Sequence, residues 1–330
     1  MNRFWDNLIL PIIKGINAKY IVEIGSDTGL NTENILEYCM DNDAHMTAID
    51  PVPKFNINEF EAKYGDKFEI YKELSLSRLP LLKDYDVVLI DGDHNWYTVY
   101  NELKIIEKQS KGKEFPLIFF HDVSWPYARR DLYYNPENIP DAYRQPYKKL
   151  GMYPGQTDLK EHGGLNYFLY NSIYENNPKN GVLTAIEDFI EESNIEFSFK
   201  IINAFHGLGI LYTKDKEIKK IVETCLNKIN FLKNLEEERI KILIHGSELT
   251  TQNHELQEKS KKEGLQLEQT QKQLKTSQKT TQQKQTQIQT LQKQLKTSQK
   301  TTQQKQTQIQ TLQKQLKTSQ KTTQQKQTQI

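Results

Sequence analysis

Two short apolar runs in this 330-residue chain end in side chains equipped for proton or metal chemistry. Val87–Ile90 is followed by Asp91, Asp93 and His94, and Leu117–Phe120 by His121 and Asp122. If both runs are neighbouring strands of one sheet, three carboxylates and two imidazoles meet at its edge. Oxygen-rich sets of this kind suit Mg²⁺, Mn²⁺ or Ca²⁺, and histidine is the natural base near neutral pH. Asp91, His121 and Asp122 are therefore metal candidates, and His94 and His121 catalytic candidates. The same residues taken singly also serve as helix caps or satisfied core histidines.

A second constellation lies upstream. Ile21–Cys39 reads as a strand, a glycine-bearing turn and an amphipathic helix, with Glu23, Gly25 and Gly29 spaced E-x-G-x-x-x-G. Glycine lets backbone pass close beneath a ligand, where a Cβ would collide or forbid the required φ. The first amides of the following helix lack intrahelical partners and can face a carboxylate or a ribose. The next strand ends in AIDP, which places Asp50 about 25 residues beyond the turn, where an acid can accept both hydroxyls of an adenosine ribose. A turn aspartate before Pro51 is the other reading. The G-x-G-x-x-G of nicotinamide enzymes is absent, because position 27 is Asp and position 30 is Leu. That difference moves the reading from hydride transfer towards methyl transfer.

These residues need a scaffold, and the apolar pattern supplies one. Strands are expected at Tyr20–Ile24, His45–Ile49, Phe68–Tyr71, Val87–Ile90, Leu117–Phe120, Glu196–Ile202 and Gly209–Tyr212, with helices at Asn31–Met40, Ile57–Tyr64, Trp96–Lys108 and Val182–Glu192. Short apolar strands alternating with helices predict an α/β fold, a mostly parallel sheet covered on both faces. MNRFWDNLILPIIKGI reads as an amphipathic helix entering the first strand, not a signal peptide.

EIGSDTG, AIDP, IDGDHNWYTV and FFHD together resemble the bacterial type-24 class I methyltransferase domain over roughly residues 18–213. More distantly the chain is similar to metal-dependent sugar O-methyltransferases and cephalosporin-hydroxylase-like proteins. The resemblance implies a Rossmann-like seven-strand sheet and S-adenosylmethionine held near Glu23, Gly25, Ser26, Gly29, Asp50 and Asp91. It also sets Ser75, after the third strand, near the adenine. In metal-dependent relatives, acids at the positions of Asp91 and Asp122 hold a divalent ion beside the acceptor hydroxyl. Those relatives carry a further acid where this chain has His121, so His121 or His94 could act as a base without an ion. The activity implied is O-methylation of a small-molecule or glycan hydroxyl. The alternatives are a coil-assembled scaffold with a vestigial domain, or a hydroxylase-like relative.

From Val123 the connection is too long for an ordinary strand-to-helix loop, and segments of this length commonly serve as lids or binding loops. Ten aromatic residues fall between Trp125 and Tyr170, with Arg129 and Arg130 among them. Aromatic faces stack on sugars or planar acceptors, and an arginine pair clamps phosphate or carboxylate. Trp125, Arg129 and Arg130 are thus candidate acceptor residues, unless the aromatics simply pack the insertion down.

Composition divides the chain into residues 1–213 (with 123–175 as a substrate-side insertion), a helical connector over 214–267, and repeats over 268–330. From Leu274 a 21-residue unit, LKTSQKTTQQKQTQIQTLQKQ, occurs twice unchanged and begins a third time. Twenty-one residues are three heptads, but only about half of the seam positions are apolar. A weak coiled coil formed on self-association and a disordered Gln/Thr/Lys tract are both compatible with it. The formal charge of +1 hides twelve lysines and no acid from Gln269 onward, leaving −11 on the first 268 residues. An acidic body argues against a nucleic-acid enzyme. Cys39 and Cys225 have no metal-type spacing and are expected to be reduced in a cytoplasmic setting, with no membrane span.

Overall fold

The computed structural model describes residues 1–227 and 232–327. They fall into two compact units, Met1–Asn253 and the residues from His254 onward. The first unit is built on strands β1 (Tyr20–Ile24), β2 (His45–Ile49), β3 (Phe68–Tyr71), β4 (Val87–Ile90), β5 (Leu117–His121), β9 (Phe197–Ile202) and β10 (Leu208–Thr213). Their order is β3-β2-β1-β4-β5-β10-β9. Strands β1 to β5 are parallel, while β10 runs antiparallel to both β5 and β9. The single reversed strand, β10, departs from the all-parallel sheet of nicotinamide folds. The seven strands fall where the apolar runs place them, within about a residue at each end.

Side-chain alternation along each strand decides what covers which face. Ile21, Val87, Leu89, Leu117 and Phe119 pack with Phe4, Leu8, Ile12 and helix α2 (Leu30–Asn42). Val22, Ile24, Val88, Ile90, Ile118 and Phe120 pack on the opposite face with helices α5 (Trp96–Gln109) and α6 (Val182–Glu192). The N-terminal segment is helical from Asn2, ending in α1 (Leu10–Gly15). The remaining helices of this unit are α3 (Ile57–Tyr64), α4 (Ser75–Arg78) and α7 (Lys216–Leu226). The same two-residue period carries Glu23, Asp91 and His121 towards the face that α2 and the N-terminal segment cover.

The long insertion folds into its own three-stranded antiparallel sheet, β6 (Leu132–Tyr133), β7 (Tyr147–Lys149) and β8 (Tyr170–Ser172), in the order β6-β8-β7. Buried Asp131 fastens it. Its Oδ1 accepts from the amides of Trp96 at 2.8 Å and Gly181 at 2.6 Å, and its Oδ2 from the Tyr133 hydroxyl at 2.7 Å.

The helix expected over Lys214–Leu267 is divided. Helix α7 ends at Leu226, residues 228–231 lie outside the described residues, and helix α8 runs over Leu232–Gln327. The repeats are helical through Gln327. No helix among the described residues is long and apolar enough to cross a membrane.

Candidate active site

The chain order of the parallel strands reverses between β1 and β4, and in open α/β sheets ligands bind at the carboxyl ends beside such a switch. Gly25 lies there with φ +87°, and a Cβ on it would stand 2.4 Å from the carbonyl oxygen of Asp91 and 2.6 Å from Cα of Gly92. The two strand ends thus touch through bare backbone. Gly29, at φ +81°, opens α2 and as the N-cap has no side chain to offer the first amides.

The acids of this turn are committed to its own architecture. Glu23 is buried, and its two oxygens accept from Asn31 Nδ2 and Thr32 Oγ1, each at 2.6 Å. Burial pushes its carboxyl up to about 7. Asp50 Oδ2 accepts from the amides of Ser26 and Asp27 at 2.8 and 2.9 Å, and Oδ1 from the Val52 amide at 2.8 Å. Asp50 therefore shapes the glycine turn, the turn role that its sequence position also allowed. Ser75 donates to buried Glu102, whose carboxyl burial raises to about 8. S-adenosylmethionine, the cofactor implied by the resemblance, carries an ammonium beside its sulfonium. Asn31 Oδ1, buried without a hydrogen-bond partner among the described residues, suits such a donor. The turn residues fit the group.

Register brings the second constellation together. Ile90 pairs with Phe120, so the next residues, Asp91 and His121, are neighbours. His121 Nδ1 lies 3.2 Å from Asp91 Oδ1 and 2.7 Å from Asp122 Oδ2. Asp122 leaves β5 in the left-handed region, φ +60°, with its carboxylate beside the ring of the preceding residue. His94 Nδ1 approaches the same Asp122 oxygen at 3.3 Å. Burial alone would lower His121, but Asp91 and Asp122 raise it to about 9. Burial alone would raise Asp122, yet His94 and His121 bring it to about 2. Asp91 is likewise held far below the usual carboxylate range, against its burial, by His121 and by the Met1 ammonium 3.0 Å away.

Donor atoms of Asp91, His121 and Asp122 all lie within 4.8 Å of one another. Adjacent ligands of an octahedral cation with bonds of about 2.1 Å stand about 3 Å apart, so the 2.7 and 3.2 Å spacings suit one. Two carboxylates and an imidazole make a mixed donor set that Mn²⁺ or a similar ion accepts more readily than Ca²⁺. The residues fit a divalent ion.

Three expected participants sit elsewhere. Asp93 turns to α5, where it accepts from Thr98 Oγ1 at 3.0 Å. Arg129 pairs with Glu187 on α6. Arg130 is buried and binds the Ser172 carbonyl, the Thr157 carbonyl and Glu175, so it braces the insertion. Neither arginine is free to clamp an acceptor. Trp125 packs with Tyr127, Leu132 and Met152, and its carbonyl lies 3.2 Å from His206 Nδ1.

Other residues take the places around the cluster. The His94 ring stacks on Tyr127, and exposed Tyr134 meets His94 edge-on at 5.8 Å. A cavity of about 340 Å³ beside His121 is lined by Phe4, Asn166, Phe205, His206 and Arg239, among others. Tyr127 and Tyr134 belong to the aromatic run noted in the sequence, but nothing local distinguishes them from its other members. Phe4 reaches the site only through tertiary packing.

Residues 22–123 match the family described as methyltransferase domain. No curated protein matches the chain. Among solved structures, it is similar to a Podospora anserina methyltransferase bound to S-adenosylhomocysteine, at 16% identity and a TM-score of 0.39, covering 62% of this chain and 77% of that one. It is also similar to a Burkholderia thailandensis 1,6-didemethyltoxoflavin-N1-methyltransferase, at 11% identity and a TM-score of 0.37, covering 64% and 78%. The matched residues 22–123 include every expected donor-side residue and the whole Asp91–His121–Asp122 cluster.

Proposed function

We propose that this protein transfers a methyl group from S-adenosylmethionine to a hydroxyl oxygen of a small molecule or glycan. The observation that carries the reading is the convergence of Asp91, His121, Asp122 and His94 beside the glycine turn of the strand switch. A hydroxyl, whose proton must leave as its oxygen is methylated, has a use for such an array of proton-handling groups.

Bound at the turn, S-adenosylmethionine supplies a methyl carbon activated by a sulfonium. Gly25 and Gly29 would let it pass close to the backbone, and Asn31 Oδ1 with Glu23 would hold its ammonium end. His94, oriented by Asp122 and by the face of Tyr127, takes the hydroxyl proton as the oxygen–carbon bond forms. The carbon–sulfur bond breaks in the same step, and its electron pair stays on sulfur. His121 carries a proton near neutral pH in this arrangement, so it serves as a hydrogen-bond donor to both carboxylates and His94 is the base. A divalent ion held by Asp91, Asp122 and a His121 that has given up that proton would instead add charge stabilisation for the developing alkoxide. Tyr134 and the cavity beside His121 provide an aromatic surface and room for the acceptor.

Calorimetry with S-adenosylmethionine, followed by transfer of labelled methyl to panels of hydroxyl acceptors, tests the proposal. Absence of cofactor binding would sink it, and label found on nitrogen would overturn the choice of acceptor atom.

A further inference from the structure

Helix α8 spans 96 residues, and its repeat portion leaves Leu274, Ile288, Leu291, Leu295, Ile309, Leu312 and Leu316 between 52% and 61% exposed. With Leu274 at heptad position a, every Leu and Ile from 274 to 316 falls at a or d. The phase extends upstream to Leu267 at a and Leu256 at d, both also exposed. A helix whose apolar side chains all lie on one 3.5-residue stripe has the surface of a coiled-coil seam and little else to bury. Thr is a poor helix former, and helices in water owe most of their stability to packing of an apolar face. This tract therefore calls for a partner along its length.

We propose that the partner is the same tract of a second copy of this chain, and that the pairing has more than one equivalent register. The seven side chains offer on the order of 700 Å² per copy, close to the ~800 Å² that each partner buries in a stable interface. Only another helix with the same three-heptad period keeps all of them in contact, and a second copy carries that period. Of the polar seam positions, Lys284 and Lys305 at d add to the repulsion between copies, whereas the two threonines at a oppose pairing less than their type suggests. Thr281 and Thr302, at a, donate to the carbonyls of Ser277 and Ser298 four residues back, each at 2.9 Å. Their hydroxyls are satisfied within the helix, so burying them strands no donor.

The exact repetition sets the register property. Sliding one copy by 21 residues replaces Leu274 with Leu295, Ile288 with Ile309 and Leu291 with Leu312. Each seam contact is recreated by an identical residue, and only the overlap length changes. A pair offset by one repeat, about 31 Å along the axis, keeps the same kinds of seam contact over an overlap shorter by three heptads. An offset pair exposes an unmatched repeat that can recruit a third copy, so the assembly is open-ended.

Charge decides between this partner and others. The tract from Gln269 carries twelve lysines and no acid, so two copies repel one another. Added salt screens that repulsion and strengthens self-pairing, whereas a polyanion, or the acidic body of another copy, would be released by salt.

Sedimentation velocity on the full chain, from low salt to about 0.5 M, provides the test. The expected result is association whose dissociation constant falls about tenfold or more as salt rises. The double substitution Leu291→Ser and Leu312→Ser keeps the charge and should return a monomer. Deleting residues 295–315, one whole repeat, should preserve association, while deleting 295–304 breaks the heptad phase and should abolish it. For register, chains carrying Ser277→Cys are mixed with chains carrying Ser298→Cys and oxidised; mixed disulfides between 277 and 298 are expected. A monomer at every salt concentration, association indifferent to the two serines, or association that weakens with salt overturns the pairing. Disulfides joining only like positions overturn the register claim.

Discussion

The imidazole of His94 lies flat on the ring of Tyr127, with centroids 5.7 Å apart and planes 8° from parallel. Together with the 3.3 Å approach to Asp122, that stack fixes the ring at the mouth of the acid cluster. If His94 is the base, His94→Gln keeps the volume but removes the proton acceptor. We expect kcat to fall by about 10²–10⁴ with S-adenosylmethionine affinity unchanged, measured by single-turnover kinetics and calorimetry. Tyr127→Leu, which keeps the imidazole but removes its stacking partner and that partner's hydroxyl bonds with Asn166 and Asn171, should cost less, and equal losses would argue that the stack rather than the proton matters.

Gly25→Ala tests the backbone contact at the strand switch. The new methyl would sit 2.4 Å from the Asp91 carbonyl, in a left-handed conformation that L side chains avoid. Strain and overpacking together should cost about 3 kcal/mol or more, and cofactor binding should be lost. Thermal melts with and without S-adenosylmethionine report both effects. Gly65→Ala is the control, since Gly65 also has positive φ but nothing within 4 Å of a Cβ.

Stability should decline as pH rises through the neutral range. Burial raises Glu23 from its ordinary 4.5 to about 7, Glu102 from 4.5 to about 8 and Asp131 from 3.8 to about 7. Each group binds its proton more tightly folded than unfolded. The native state is thus favoured below the ordinary values, and that advantage is lost as pH climbs through the raised ones. His121, raised from 6.5 to about 9, acts in the same direction at the upper end. Urea unfolding between about pH 5 and pH 9 should show a loss of a few kcal/mol, and Glu102→Gln should flatten part of the slope. A profile that rises with pH would contradict the burial of these carboxyls.

Chelation separates the two ways the acid cluster can work. We expect removal of divalent ions to lower turnover about tenfold or more, with recovery on adding Mn²⁺, because the cluster has octahedral edge spacings. Asp91→Asn should abolish the recovery. An unchanged rate after exhaustive chelation would leave the cluster to proton handling alone.

The strand ends were legible because each parallel strand is an unbroken apolar run that stops where chemistry begins, as Val87–Ile90 does before Asp91. What lay beyond was less so. Arg129 and Arg130 have the look of an anion clamp, yet their partners Glu187 and Glu175 stand 58 and 45 residues away, and nothing local announces an internal pair. Asp50 and Ser75 occupy expected positions, but only the folded chain reveals that Ser26, Asp27 and Glu102 claim their polar atoms. Phe4 and Tyr134 arrive at the site by tertiary packing alone, and no spacing rule reaches across those distances.

Asp131 ties the start of β6, the first turn of α5 and the entry to α6 to a single carboxylate. The insertion is thus pinned where it leaves and rejoins the sheet's helices, as a wall and not a flap. If the proposed function holds, a change of acceptor would call for exchanging the panel between Val123 and Gly181, with the glycine turn left as it is.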